Sequence, residues 1–132
     1  MSEPDAGENA AGRVVRVARC DLQVRPEAWP LAAAHRAAIT ANWAERSRAN
    51  PAIFNGRVYV TRDYALEADR FSGWCSATDF ASFIYWRADR ARDPEARDLF
   101  GVALIFSSDG GLVLGRQGPG HLNAGLTYPP GG

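Results

Sequence analysis

GRVYVTRDYALEADRFSGWCSATDF, residues 56–80, decides the fold, because a strand, a turn, a second strand and a helix start are all readable inside it. Val58, Val60, Tyr64 and Leu66 recur at even spacing, which places them on one face of a β-strand. Glu67 to Arg70 make a turn, and FSGWCSAT supplies a second strand that pairs with the first as a hairpin. A short helix then begins near Thr78-Asp79, either of which can cap it, and carries Phe80, Phe83 and Ile84 toward the core with Tyr85 and Trp86 flanking.

Upstream, Asn55-Gly56 forms the turn into the hairpin. Residues 30–49 are Ala-rich and set Leu31, Ala34, Ala38 and Ile39 on one helical stripe, although His35, Asn42 and Glu45 lie close to it. Asn50-Pro51 ends that helix, since proline disfavours the helical conformation in the residue before it. Val14, Val15 and Val17 predict a strand over 14–20, and residues 1–12 read as a disordered polar tail. Downstream, RDPEARD is a charged connector, and GVALIF and GLVLGRQ are two strands joined by the loop Ser107-Ser108-Asp109-Gly110. The order β-α-β-β-α-β-β is an α+β pattern with a mixed or antiparallel sheet.

Composition narrows the function. The 132 residues are 46% hydrophobic and 23% charged, which describes one globular domain. All 15 basic residues are Arg, a mark of GC-rich coding DNA, and 15 acids cancel them. No long-range field draws this chain to nucleic acid or to anionic lipid. Cys20 and Cys75 are too few and too far apart for a zinc site or a disulfide framework, so they read as half-buried free thiols. The N-terminus lacks the apolar core of a signal peptide, and a reducing cytoplasm is the expected location.

Few residues suggest chemistry. His35 and His121 have no ligand partner at a usable spacing, and the acids are scattered over predicted termini, turns and solvated faces, Asp93 among them. Trp43, Trp74, Tyr85 and Trp86 include candidates for base stacking, although aromatics at this density usually build core. No nucleophile elbow, phosphate loop or dinucleotide fingerprint is present.

Three longer stretches change the picture. NPAIFNGRVYVTRDYALEADR, then ATDFASFIYW, then LFGVALIFSSDGGLVLGRQGPGHLNAGLTYPPGG together resemble the front half of Nudix hydrolases related to nucleoside-diphosphate-sugar pyrophosphatases, over roughly residues 42–132. The resemblance implies a Nudix-like α/β/α sandwich, of which residues 13–132 are a partial domain. It implies a substrate of nucleoside-diphosphate type, an NDP-sugar or ADP-ribose, cleaved with Mg²⁺. Pro130, Gly131 and Gly132 match the turn before the family's catalytic helix, a backbone role that uses glycine's conformational freedom. Gly132 aligns with the first glycine of the signature G-x5-E-x7-R-E-x2-E-E-x-G, whose carboxylates lie beyond this chain. No metal ligand or catalytic residue is therefore transferred to it. Arg116 matches the Leu-Gly-Arg arginine at a strand end, where a guanidinium meets a diphosphate; a solvated strand-end arginine is the equal competitor.

The expectation is an N-terminal portion of a hydrolase, inactive alone, with Val102, Leu104, Phe106 and Leu112 uncovered on one side and a homodimer or a marginal fold as the result. The alternative is a non-catalytic Nudix-like domain that binds a nucleotide or a protein partner.

Overall fold

The computed structural model describes residues 14–131, so the tail over 1–12 and the glycine at 132 lie outside the described residues. The hairpin forms as the alternation predicts, with β2 at Arg57–Glu67 and β3 at Arg70–Asp79 paired antiparallel from Arg57↔Asp79 to Glu67↔Arg70. β1, Arg19–Arg25, runs parallel to β3 on its other side, and β4, Arg97–Asp98, adds two residues beside β2. The mixed sheet therefore has the order β1-β3-β2-β4. The chain is an α+β fold.

β1 lies five residues later than the valine cluster predicts. Its register against β3, Arg19↔Arg70 to Arg25↔Ser76, is set by pairing, which outweighs the strand propensity of Val14, Val15 and Val17. Val14 is fully exposed instead.

The expectation that Val58, Val60, Tyr64 and Leu66 share a face fails at a β-bulge. Thr61 is opposite Cys75 and Asp63 opposite Trp74, so Arg62 is an extra residue in β2. Directly opposed residues point the same way, and side chains alternate along a strand. Val58 and Val60 thus share a face with Thr78 and Ser76, whereas Tyr64 and Leu66 share the other with Gly73 and Phe71. The buried Thr61 hydroxyl donates to the Trp74 carbonyl at 2.7 Å and the Asp63 carbonyl at 3.2 Å, which fastens the bulge.

The predicted first helix is two, α1 at Pro30–Ala34 and α2 at Arg36–Ala49, broken where His35 leaves helical geometry (φ −113°, ψ 21°). Leu31, Ala32 and Ile39 are buried, while Ala34 and Ala38 of the predicted stripe are exposed. α3, Phe80–Ala88, follows β3 directly with Asp79 as its N-cap, as expected. Trp86 is a core residue and not a flanking one, with 2% of its surface exposed.

One cluster unites Trp29, Leu31 and Ile39 with Val60 and with Phe83, Ile84 and Trp86 of α3, so all three helices cover the same face of the sheet. At its centre the Trp29 and Trp86 rings meet edge to face, 5.9 Å apart. Asp93, expected on a solvated face, is buried and ties this cluster together. Its carboxylate accepts from Trp29 Nε1 at 2.9 Å and Arg62 Nε at 3.2 Å, and its carbonyl accepts from Trp86 Nε1 at 2.9 Å. On the opposite face Leu22, Val24, Tyr64 and Leu66 belong to no such cluster and are 41–56% exposed. Among the described residues no helix is long and apolar enough to cross a membrane.

Candidate functional site

Residues 101–131 are held by backbone bonds more than by packing. The expected loop forms: Ser107 N–H donates to the Gly111 carbonyl at 2.8 Å and Gly110 N–H to the Ser107 carbonyl at 2.9 Å, with Gly110 at φ +85°. The two strands predicted over 101–106 and 111–117 do not form as a paired hairpin; the only strand among them is Gly115–Arg116, which pairs elsewhere. They retain a bridge between Phe106 and Leu112 and one bond from Val113 N–H to the Ile105 carbonyl. Val102, Leu104, Phe106 and Leu112 are 44–64% exposed, and a strand with no covered face gains little from forming.

Pairing resumes at β5, Gly115–Arg116, which runs antiparallel to β6, Thr127–Tyr128. The loop between them closes on itself through Gln117 N–H to the Leu126 carbonyl and Gly125 N–H to the Gln117 carbonyl, each 2.9 Å. It is also tied to the first domain layer. Asn50, at the C-terminus of α2, donates from Nδ2 to the Gly120 carbonyl at 2.7 Å while its Oδ1 accepts from Ala52 N–H. Gly120 sits at φ +85°, a conformation that favours glycine, and a Cβ there would lie 3.2 Å from the Ala52 Cβ.

Arg116 is exposed on β5, opposite Thr127, and has no ion-pair partner among the described residues. Pro130 is exposed, and Gly131 forms an antiparallel bridge with Val102. Gly131 does not use positive φ. A Cβ there would meet Val102 Cγ1 at 2.8 Å, so the demand on this residue is close approach and not conformational freedom. The turn thereby lies against the start of the uncovered apolar segment.

The sheet carries two open hollows. One of about 430 Å³ is lined by Asp21, Gln23, Asp63, Arg70, Ser72 and Trp74, and one of about 260 Å³ by Arg25, Glu27, Trp29, Arg62, Trp74 and Ser76. Every arginine in them is engaged: Arg25 with Asp63 at 2.6 Å, Arg70 with Asp21 at 2.8 Å, and Arg62 with Asp93 and Glu95 at 3.2 and 2.9 Å. Their charge is balanced by neighbouring carboxylates, which makes them poor receptors for a diphosphate. Of the four aromatics considered for stacking, Trp43 packs edge-on to Phe80, Trp86 is buried, Tyr85 lies under the Arg92 guanidinium, and Trp74 is half exposed beneath Arg25.

Asp79 and Asn55 are structural. Burial pushes the Asp79 carboxyl up, but hydrogen bonds from the Ser82 hydroxyl and N–H and from Asn55, with Arg36 nearby, hold it below the ordinary carboxylate range. Asn55 also accepts from Ala81 N–H at 2.8 Å, so it caps α3 from outside and does more than turn the chain. The cysteines differ: Cys20 is exposed and Cys75 buried, with burial, then Cys20, pushing the Cys75 thiol up. Among the described residues no three His, Cys, Asp or Glu side chains come together as a metal site, so no residue here is assigned to Mg²⁺. The spacing of Asn50 and of Asp93 in the sequence carries no signal of their roles; both act on partners more than 60 residues away. Comparison with protein-family models, with curated proteins and with solved structures finds no match to this chain.

Proposed function

We propose that this chain is the front portion of a Nudix-type hydrolase that cleaves a nucleoside-diphosphate-linked substrate, an NDP-sugar or ADP-ribose, with Mg²⁺. Residues 14–98 supply a packed α+β layer, and residues 101–131 supply the first strands of a catalytic Nudix-like sheet. The observation that carries this reading is the Val102–Gly131 bridge, which sets the Pro-Pro-Gly turn beside an apolar segment that no other described residue covers. A helix entering after Gly132 is the element that such a turn launches and such a surface accommodates. Arg116, exposed and without an ion-pair partner among the described residues, is the guanidinium that the resemblance offers to a diphosphate.

The test is an assay of a polypeptide continuing past Gly132, with Mg²⁺, against a panel of nucleoside-diphosphate sugars and ADP-ribose. Release of a nucleoside monophosphate and a sugar phosphate is expected, lowered at least tenfold by Arg116→Ala, while residues 1–132 alone are inactive. A longer chain that binds Mg²⁺ and leaves the whole panel intact removes the reading.

A further inference from the structure

β1 is the outer strand of the sheet, no described residue pairs with its outer edge, and that edge has the properties of a self-pairing surface. It is seven residues long, and Arg19, Cys20, Leu22, Gln23 and Val24 are exposed along it. Natural edges are blunted by charged side chains, especially a run of lysines, by proline, by a bulge or by brevity. β4, on the far side of the sheet, is protected by being two residues long. β1 pairs with β3 without a register break, contains no proline, and its three charged residues, Arg19, Asp21 and Arg25, are of mixed sign, so they repel or attract a second copy according to register.

The order of charges in that sequence selects one arrangement. Two copies related by a two-fold axis pair antiparallel, and opposed residues must point to the same face. Centring the pair on Leu22 places Arg19 opposite the partner subunit's Arg25, a like-charge contact made twice. Centring it on Gln23 places Asp21 opposite the partner subunit's Arg25, an opposite-charge contact made twice. The same register sets Leu22 beside the partner subunit's Val24, giving lateral neighbours to two side chains that are 41% and 56% exposed. Asp21 is already steadied by Arg70 at 2.8 Å, and Arg25 by Asp63 at 2.6 Å and by the Trp74 ring beneath its guanidinium, so little side-chain freedom is lost on pairing.

We propose that β1 is a docking edge for a second copy of this chain, which pairs with it antiparallel about Gln23 to form one continuous sheet. One strand pair with its flanking side chains is a small interface, so the dimer forms at micromolar and not nanomolar protein. The inference is independent of the hydrolase reading, since it uses no residue beyond the first layer.

Light scattering coupled to size exclusion reads the stoichiometry, and cross-linking reads the register. The chain is expected at twice its 14.3 kDa. Asp21→Arg alone and Arg25→Asp alone each give monomer, whereas their equimolar mixture restores the dimer, because every opposed pair is then Arg against Asp. In a Cys20→Ser background, Gln23→Cys forms a disulfide-linked dimer on mild oxidation, since opposed Cα atoms lie about 4.5–5.5 Å apart. Leu22→Cys, displaced from its counterpart, cross-links at least fivefold more slowly. A monomeric wild-type chain, a mixture that stays monomeric, or equal cross-linking at 22 and 23 each overturns the proposal; the last also identifies non-specific association through the uncovered segment.

Discussion

The indole N–H of Trp29 donates to the carboxylate of Asp93, 2.9 Å away and 64 residues distant in the chain. Two indoles and a guanidinium converge on this one residue, which closes the helical side of the domain against the end of α3.

Asp93→Ala leaves the Trp29 N–H without its partner in a buried site and releases Arg62, a loss of roughly 2–3 kcal/mol. Asp93→Asn keeps the shape, and the bond from Trp86 to the main-chain carbonyl survives in both variants. Urea denaturation is expected to show a lower midpoint for both, with alanine the worse. Equal midpoints for Asp93→Ala and wild type refute the role.

Asp79→Ala removes the cap of α3, at about 1–2 kcal/mol. Its acid dependence has a definite sign: because the folded carboxyl is held below its unfolded value, the stabilisation is fully present above about pH 4 and fades as pH falls through the folded value. Asp79→Asn is therefore expected to flatten the acid limb of a plot of Tm against pH. A limb unchanged in slope argues that other carboxylates set it.

Gly131→Ala forces a methyl against Val102 and opens their bridge. Amide exchange at residues 102 and 131 should quicken at least tenfold, and adding Val102→Ala should restore most of the protection by making room. If the second substitution restores nothing, close approach is not what the glycine provides.

Asn50→Ala frees the loop after β5 at a cost of about 1 kcal/mol, with the change concentrated far from the substitution. Hydrogen exchange should rise across residues 118–125 and stay unchanged in β2 and β3. Uniform change over the whole chain would indicate global destabilisation instead.

The hairpin, the turn at Glu67–Arg70 and the cap at Asp79 are legible in the sequence because each depends on residues a few positions apart. The split of the first helix at His35 is not, since the Ala-rich run favours helix throughout and the break answers to how α1 and α2 reach the sheet. Asp93 reads as surface for a similar reason. Its neighbours in RDPEARD are charged, and only folding brings two indoles to it. For the candidate site, Arg116 and the Pro-Pro-Gly turn are found through resemblance, while Asn50, which positions the loop between them, acts through a bond spanning 70 residues. Val102, Leu104, Phe106 and Leu112 are legible as an apolar run, and the structure shows them 44–64% exposed.

The bulge at Arg62 makes one strand serve two masters. Before it the apolar Val58 and Val60 face the helices, and after it the apolar Tyr64 and Leu66 face the open side. Were Arg62 drawn into the ladder as an ordinary pair, Tyr64 and Leu66 would fall into phase with Val58 and Val60 and Asp63 and Ala65 would turn to the open side, so the hairpin's inside and outside hang on one residue staying unpaired.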